Sequence, residues 1–258
     1  MIILLFLCLS LNMAFKSPFL RGVHKPVKKE IHVKFPLVEK SNLFGKIKGF
    51  FGQIGPNPKY PCDSEYSLFD GDGMVHGIFF QNGTLTYTNH WVQTKKLKTE
   101  MKWKKKMYLS LAELKGVRGL SSILSSEIMK GFKLIPSGYT ANTAFMYADN
   151  KLFALHETDT PYELCLNYDN QTISTGKHYQ FPNIPTTTAH PKFDNFRKSM
   201  YLYSYNSIDK NKGQFLNNVF NYTFGLKEQT IIKLINNGII HDIGQSKNYL
   251  IIPDMPLK

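Results

Sequence analysis

The chain is short of cysteine, of acidic side chains, of histidine and of long hydrophobic runs. Its three cysteines, Cys8, Cys62 and Cys165, show no CxxC spacing. Neither a disulfide framework nor a zinc site is expected, and a reducing compartment fits best. Residues 1–15, "MIILLFLCLSLNMAF", form an apolar leader that is too short to span a bilayer. It resembles a signal-peptide core, but no basic residue precedes it and Ala14 offers a poor cleavage site. N-x-[ST] sequons stand at Asn82, Asn170 and Asn221, as chance allows in a chain rich in Asn, Ser and Thr. A cytoplasmic or peripheral membrane location is the expectation, and plastid or secretory placement finds no support in the residues.

What is present is basic charge and strand pattern. Thirty-two Lys and Arg against nineteen Asp and Glu give +13, which calls for an anionic partner. At 258 residues with 42% hydrophobic content, the chain can bury a sizeable core. "GIFF" and "TLTYT" flank Asn82-Gly83, the dipeptide suited to a type I′ hairpin. "TAFMYADNKLFALHE" repeats the pattern with Asp149-Asn150 at the turn, and "SMYLYSYN", "NVFNYTF" and "NYLIIPD" are also strand-like. Short strands separated by turns predict an all-β barrel, sandwich or propeller.

One stretch departs from this pattern. From Leu111 to Lys133, Val117, Leu120, Leu124 and Ile128 fall at helical spacing, against glycines at 116, 119 and 131. Residues 95–133 carry eleven Lys or Arg and three Glu, a net of +8. A surface helix packed on a sheet and a basic amphipathic segment on an anionic lipid surface both fit. "TKKLKTEMKWKKK" has a single interleaved aromatic, Trp103, and no recognised binding motif, so no nucleic-acid partner is expected. "FDGDG" alternates aspartate with glycine as a calcium loop does, but lacks the terminal glutamate, so it reads as turn chemistry. "IGPNP" reads as a rigid turn.

Several of these stretches occur together in one order: "SPFLRGVHKPV" (17–27), "IGPNPKY" (54–60), "FDGDGMVHGIFFQNGTLTYTNHWVQT" (69–94), "ANTAFMYADNKLFALHETDTPYEL" (141–164), "TAHPKFD" (188–194) and "HDIGQSKNYLIIPDMPL" (241–257). Together they resemble the carotenoid cleavage oxygenase family, and its plant-type dioxygenases in particular. The resemblance implies that 17–258 is the N-terminal part of a seven-bladed β-propeller, with 95–133 in a helical, membrane-facing cap. It implies one ferrous iron, Fe(2+), on the propeller axis, held by four histidines and oriented by second-shell glutamates. His190 in "TAHPK" and His241 in "IIHDI" match the first two ligands, and Glu157 in "LHETDTPY" matches the first glutamate. Neutral imidazole suits ferrous iron, and a carboxylate on the distal ring nitrogen fixes the tautomer.

By the same resemblance, the function is a non-haem dioxygenase cleaving a conjugated double bond, with a carotenoid or apocarotenoid and O2 as partners. On the residues alone, His190 and His241 read more readily as hydrogen-bonded structural histidines than as ligands. His76 and His156 lie in family motifs without matching a ligand, His90 reads as structural, and His24, His32 and His178 as surface. The family's third and fourth histidines have no counterpart among the 258 residues. That raises the alternative of an inactive fragment or split half that binds membrane or apolar ligand. Open blade faces would then favour a missing C-terminal half or self-association.

Overall fold

The computed structural model describes residues 17–36, 46–60, 66–109, 139–148, 150–157, 159–180, 186–197, 199–209, 214–223, 226–231 and 240–254. The apolar leader and the 117/120/124/128 stripe lie outside these residues. The described chain is mostly antiparallel sheet with one α-helix, in accord with the all-β expectation.

Three four-stranded sheets follow one another along the chain. The first holds β1 (His32–Pro36), β2 (Gly49–Pro56), β3 (Gly73–Gln81) and β4 (Thr84–Trp91) in the order β1-β4-β3-β2. The second runs β5 (Ala144–Ala148), β6 (Lys151–Leu155), β7 (Tyr162–Asn167) and β8 (Thr172–His178) as a meander. The third, in the order β12-β11-β10-β9, comprises β9 (Lys192–Asp194), β10 (Ser199–Asp209), β11 (Gln214–Thr223) and β12 (Leu226–Ile231). A short ladder of β13 (Gly244–Gln245) with β14 (Leu250–Ile251) ends the described chain.

The turns form where the sequence demands positive φ. Asn82 and Gly83 adopt φ of 51° and 68° between β3 and β4, matching the right-handed twist of the flanking strands. Asn150 does the same at 57° between β5 and β6. "IGPNP" departs from its reading as a turn. Ile54, Gly55 and Pro56 pair with Val75, Met74 and Gly73 in β2. Pro56 ends the strand, where its missing N–H is tolerated.

The sheets stack face to face, and strand alternation divides the side chains between two cores. Ala154 of β6 packs towards the first sheet with Val75, Phe79, Tyr162 and Ile173. Its neighbours Phe153 and Leu155 join Met146, Met200 and Leu202 against the third sheet. Both faces of the second sheet are thus covered, which is why "KLFAL" is apolar without alternation. The first sheet buries one face against the second sheet and the other only at one end, where Met74 and Trp91 pack with Leu97. Elsewhere on that second face Val33, Phe35 and Phe51 are exposed.

Helix α1 (Lys95–Trp103) lies in the run that reads as a basic patch. Thr94 caps it by accepting the Leu97 N–H, and Lys104 ends it in the left-handed region. Leu97 docks on Met74 and Trp91. Lys96, one of the cations in the +8 count, is not a surface charge. It is buried, with Nζ 2.8 Å from both Asp72 Oδ1 and Glu100 Oε2. Asp72 of "FDGDG" therefore serves a buried ion pair.

Candidate metal centre

The motif "TTTAH" folds as a strap between two sheets. Thr187 N and Oγ1 both donate to the Asp159 carbonyl at 3.1 Å, and Thr188 N donates to the Tyr203 carbonyl at 2.7 Å. Thr188 Oγ1 then accepts the His190 N–H at 3.0 Å. The threonines are needed because the strap is buried and its backbone must be satisfied. It delivers His190 just ahead of β9. His241 sits in the segment before β13, where buried Ile240 and Ile243 pack on Tyr203 on either side of it. Glu157 follows β6 by two residues. All three come from segments flanking strands rather than from the strands themselves.

These three separate segments converge. Ligand atoms of Glu157, His190 and His241 all lie within 4.8 Å of one another. The two imidazoles meet edge to face with centroids 4.6 Å apart. Glu157 Oε1 faces His241 Nδ1 in direct contact. Glu157 Oε1 is buried without a hydrogen-bond partner; were Nδ1–H to donate to it, the Nε2 lone pair of His241 would be left for another partner. His190 Nε2 is buried with no hydrogen-bond partner, a costly arrangement unless a ligand occupies the position. A divalent ion between the two rings would satisfy it, so the donor set fits a metal such as ferrous iron.

The surroundings hold the two histidine segments together. Lys192 Nζ bridges to Asp242 Oδ1 at 2.7 Å, linking the residues that flank the two histidines. Arg197 Nη1 contacts Asp194 Oδ2 and the Lys247 carbonyl, both at 2.7 Å, tying β9 to the β13–β14 turn. Burial pushes the His156 imidazole down to about 4, despite the opposing pull of Asp159. That side chain is therefore neutral beside Glu157.

The remaining histidines stay apart from this cluster. His76 Nδ1 meets the Tyr87 hydroxyl at 2.7 Å. His90 bridges Glu30 at 3.1 Å and Thr175 at 3.0 Å, a structural role as expected. His178 is not the surface residue the sequence suggests. It stacks on Tyr162 at 4.0 Å and contacts Thr160 and Asp159. Among the described residues, no helix is long and apolar enough to cross a membrane.

The geometry can be set beside known proteins. The chain is 30% identical over 243 residues to the carotenoid 9,10(9',10')-cleavage dioxygenase 1 of Pisum sativum, covering 93% of this chain and 44% of the relative. It therefore spans about half the length of the curated relatives it matches. Among solved structures, lignostilbene dioxygenase of Pseudomonas brassicacearum superposes with a TM-score of 0.68 at 24% identity, over 93% of this chain and 47% of that one. A cobalt-substituted Synechocystis ACO gives a TM-score of 0.58 at 19% identity, over 88% and 47%. Residues 25–258 match the retinal pigment epithelial membrane protein family, and the chain belongs to that family, the carotenoid cleavage oxygenases.

Proposed function

We propose that this chain is the N-terminal portion of a non-haem Fe(II) dioxygenase that cleaves a conjugated double bond of a carotenoid or apocarotenoid. The observation that carries the reading is the convergence of His190, His241 and Glu157 from three distant segments, with His190 Nε2 buried and unpartnered. The relatives' names supply the substrate class. The cobalt-substituted relative supports a divalent metal in the family.

In this reading the three sheets are successive blades of a seven-bladed propeller. The exposed apolar face formed by Val33, Phe35 and Phe51 is what a blade presents to a further neighbour. His190 and His241 would hold the ion, and Glu157 would fix the His241 tautomer. Bound iron supplies the redox chemistry that dioxygen activation requires. The chain's own contribution is positioning: two imidazoles brought together, His190 by a strap whose Thr187, Thr188 and His190 N–H groups are hydrogen-bonded. The basic segment 95–133 is the proposed cap, lying on a peripheral membrane surface from which a polyene is drawn.

The test is metal analysis of the purified chain after anaerobic loading with Fe(II). His190→Ala and His241→Ala should each abolish stoichiometric iron, because each removes a direct bond. Unchanged iron content in both variants refutes the centre. Product chromatography with a panel of carotenoids and apocarotenoids then tests the activity.

A further inference from the structure

We propose that a basic pocket beside helix α1 binds a phosphate monoester. The pocket encloses about 370 Å³ and is lined by Lys28, Lys29, Glu30, Lys59, Trp91 and Met101, among others. None of its lining residues belongs to the Glu157–His190–His241 cluster.

The backbone beneath its lysines is held in place by the fold. Asn57 brackets Val27, accepting its N–H at 2.7 Å and donating to its carbonyl at 2.9 Å. Asn89 accepts the Ile31 N–H at 2.5 Å and donates to the Lys29 carbonyl at 3.3 Å. The backbone carrying Lys28 and Lys29 is thus fastened on both sides. Lys59 Nζ sits 3.7 Å above the Trp91 ring. That indole is itself fixed by its N–H donating to the Asn57 carbonyl at 3.0 Å.

The negative charge nearby is partly engaged. Glu30, the one acid among the lining residues, accepts the Trp91 backbone N–H at 2.7 Å and meets His90 Nδ1 at 3.1 Å, both through Oε1. Asp72 and Glu100 are engaged by Lys96. Three lysines therefore line one pocket against a single carboxylate, a net excess of two positive charges. Ammonium groups act as point donors, which suits a tetrahedral dianion with three terminal oxygens better than a planar carboxylate. Met101, 42% exposed, gives an apolar rim for the ester's organic part. The phosphate could belong to a soluble ester or to a lipid headgroup, and the two sources are separable.

The experiment uses the full chain. Equilibrium dialysis against labelled inorganic phosphate should show saturable binding that chloride at matched ionic strength does not displace. Lys59→Gln, and Lys28→Gln with Lys29→Gln, should each weaken it by about tenfold or more. Trp103→Phe leaves Trp91 as the sole tryptophan, and its emission should change with phosphate over the same range. Sedimentation with vesicles separates the sources. Preference for phosphatidic acid over phosphatidylserine at equal surface charge, competed by inorganic phosphate, assigns a headgroup. Phosphate binding without that preference assigns a soluble ester. Phosphate binding no stronger than chloride, or unchanged in the lysine variants, overturns the proposal.

Discussion

Replacing Lys96 with Met should cost more stability than its place in a lysine-rich run suggests. The Lys96 ammonium lies 2.8 Å from Asp72 Oδ1 and from Glu100 Oε2, and the two carboxylate side chains are only 3% and 1% exposed. Methionine fills the space and removes the charge. Two buried anions then face each other without a cation. Removing one partner of a buried ion pair costs about 3–5 kcal/mol. The lower end applies here, because each carboxylate keeps backbone donors. Asp72 Oδ2 accepts the Lys59 N–H at 2.9 Å, and Glu100 Oε1 accepts those of Met107 and Tyr108 at 3.0 and 3.3 Å. About 3 kcal/mol is therefore expected from urea unfolding at neutral pH.

The pH dependence has a definite sign. Burial pulls the Lys96 pKa down, but Asp72 and Glu100 outweigh it and leave it above the ordinary lysine value. The folded state then holds that proton more tightly than the unfolded chain. Its contribution is complete below the unfolded lysine pKa and is lost as pH rises through the folded value. The gap between wild type and Lys96→Met should therefore close in strong alkali. The triple variant with Asp72→Asn and Glu100→Gln should recover much of the loss. A single-variant cost below about 1 kcal/mol, the range of exposed pairs, would refute the reasoning.

Glu157→Gln should weaken iron binding by about 10–100-fold without abolishing it. Wild-type affinity in that variant would mean the carboxylate does not orient His241. Gly73→Ala should prevent stable folding, since an added Cβ would stand 1.8 Å from the Ala141 carbonyl oxygen, a backbone atom with little room to yield. Gly83→Ala, at φ +68° but with open space around it, should cost only about 1 kcal/mol. Thermal melts of the two distinguish clash from dihedral strain. Liposome sedimentation should show salt-sensitive binding to anionic vesicles that falls on charge reversal of Lys98, Lys102 and Lys105, which are exposed. Equal binding to neutral vesicles at high salt would contradict the electrostatic part.

Local chemistry was readable where one or two residues determine the outcome. Asn82-Gly83 needs no tertiary partner to prefer positive φ, so the β3–β4 hairpin follows from the dipeptide. Helix α1 was hidden because its apolar side is short. Leu97 and Met101 stand among lysines, and the cap at Thr94 is the one local signal. The Lys96–Asp72 half of the ion pair could not be read, because Asp72 lies 24 residues away and only the docking of α1 on β3 and β4 brings it near. His178 was misread for the same reason. Its partner Tyr162 stands across β7–β8 at a register shift, and no local pattern announces a stacked pair there. The Glu157–His190–His241 cluster is the extreme case. Glu157, His190 and His241 have no mutual spacing that implies contact, so only the resemblance to a known family singled them out. Their convergence depends on Thr187 and Thr188 tying the strap to Asp159 and Tyr203. The same threonines that look like loop filler in "IPTTTAHPKF" are thus what aims the histidine. A motif of this kind records the backbone hydrogen bonds around a ligand as much as the ligand itself.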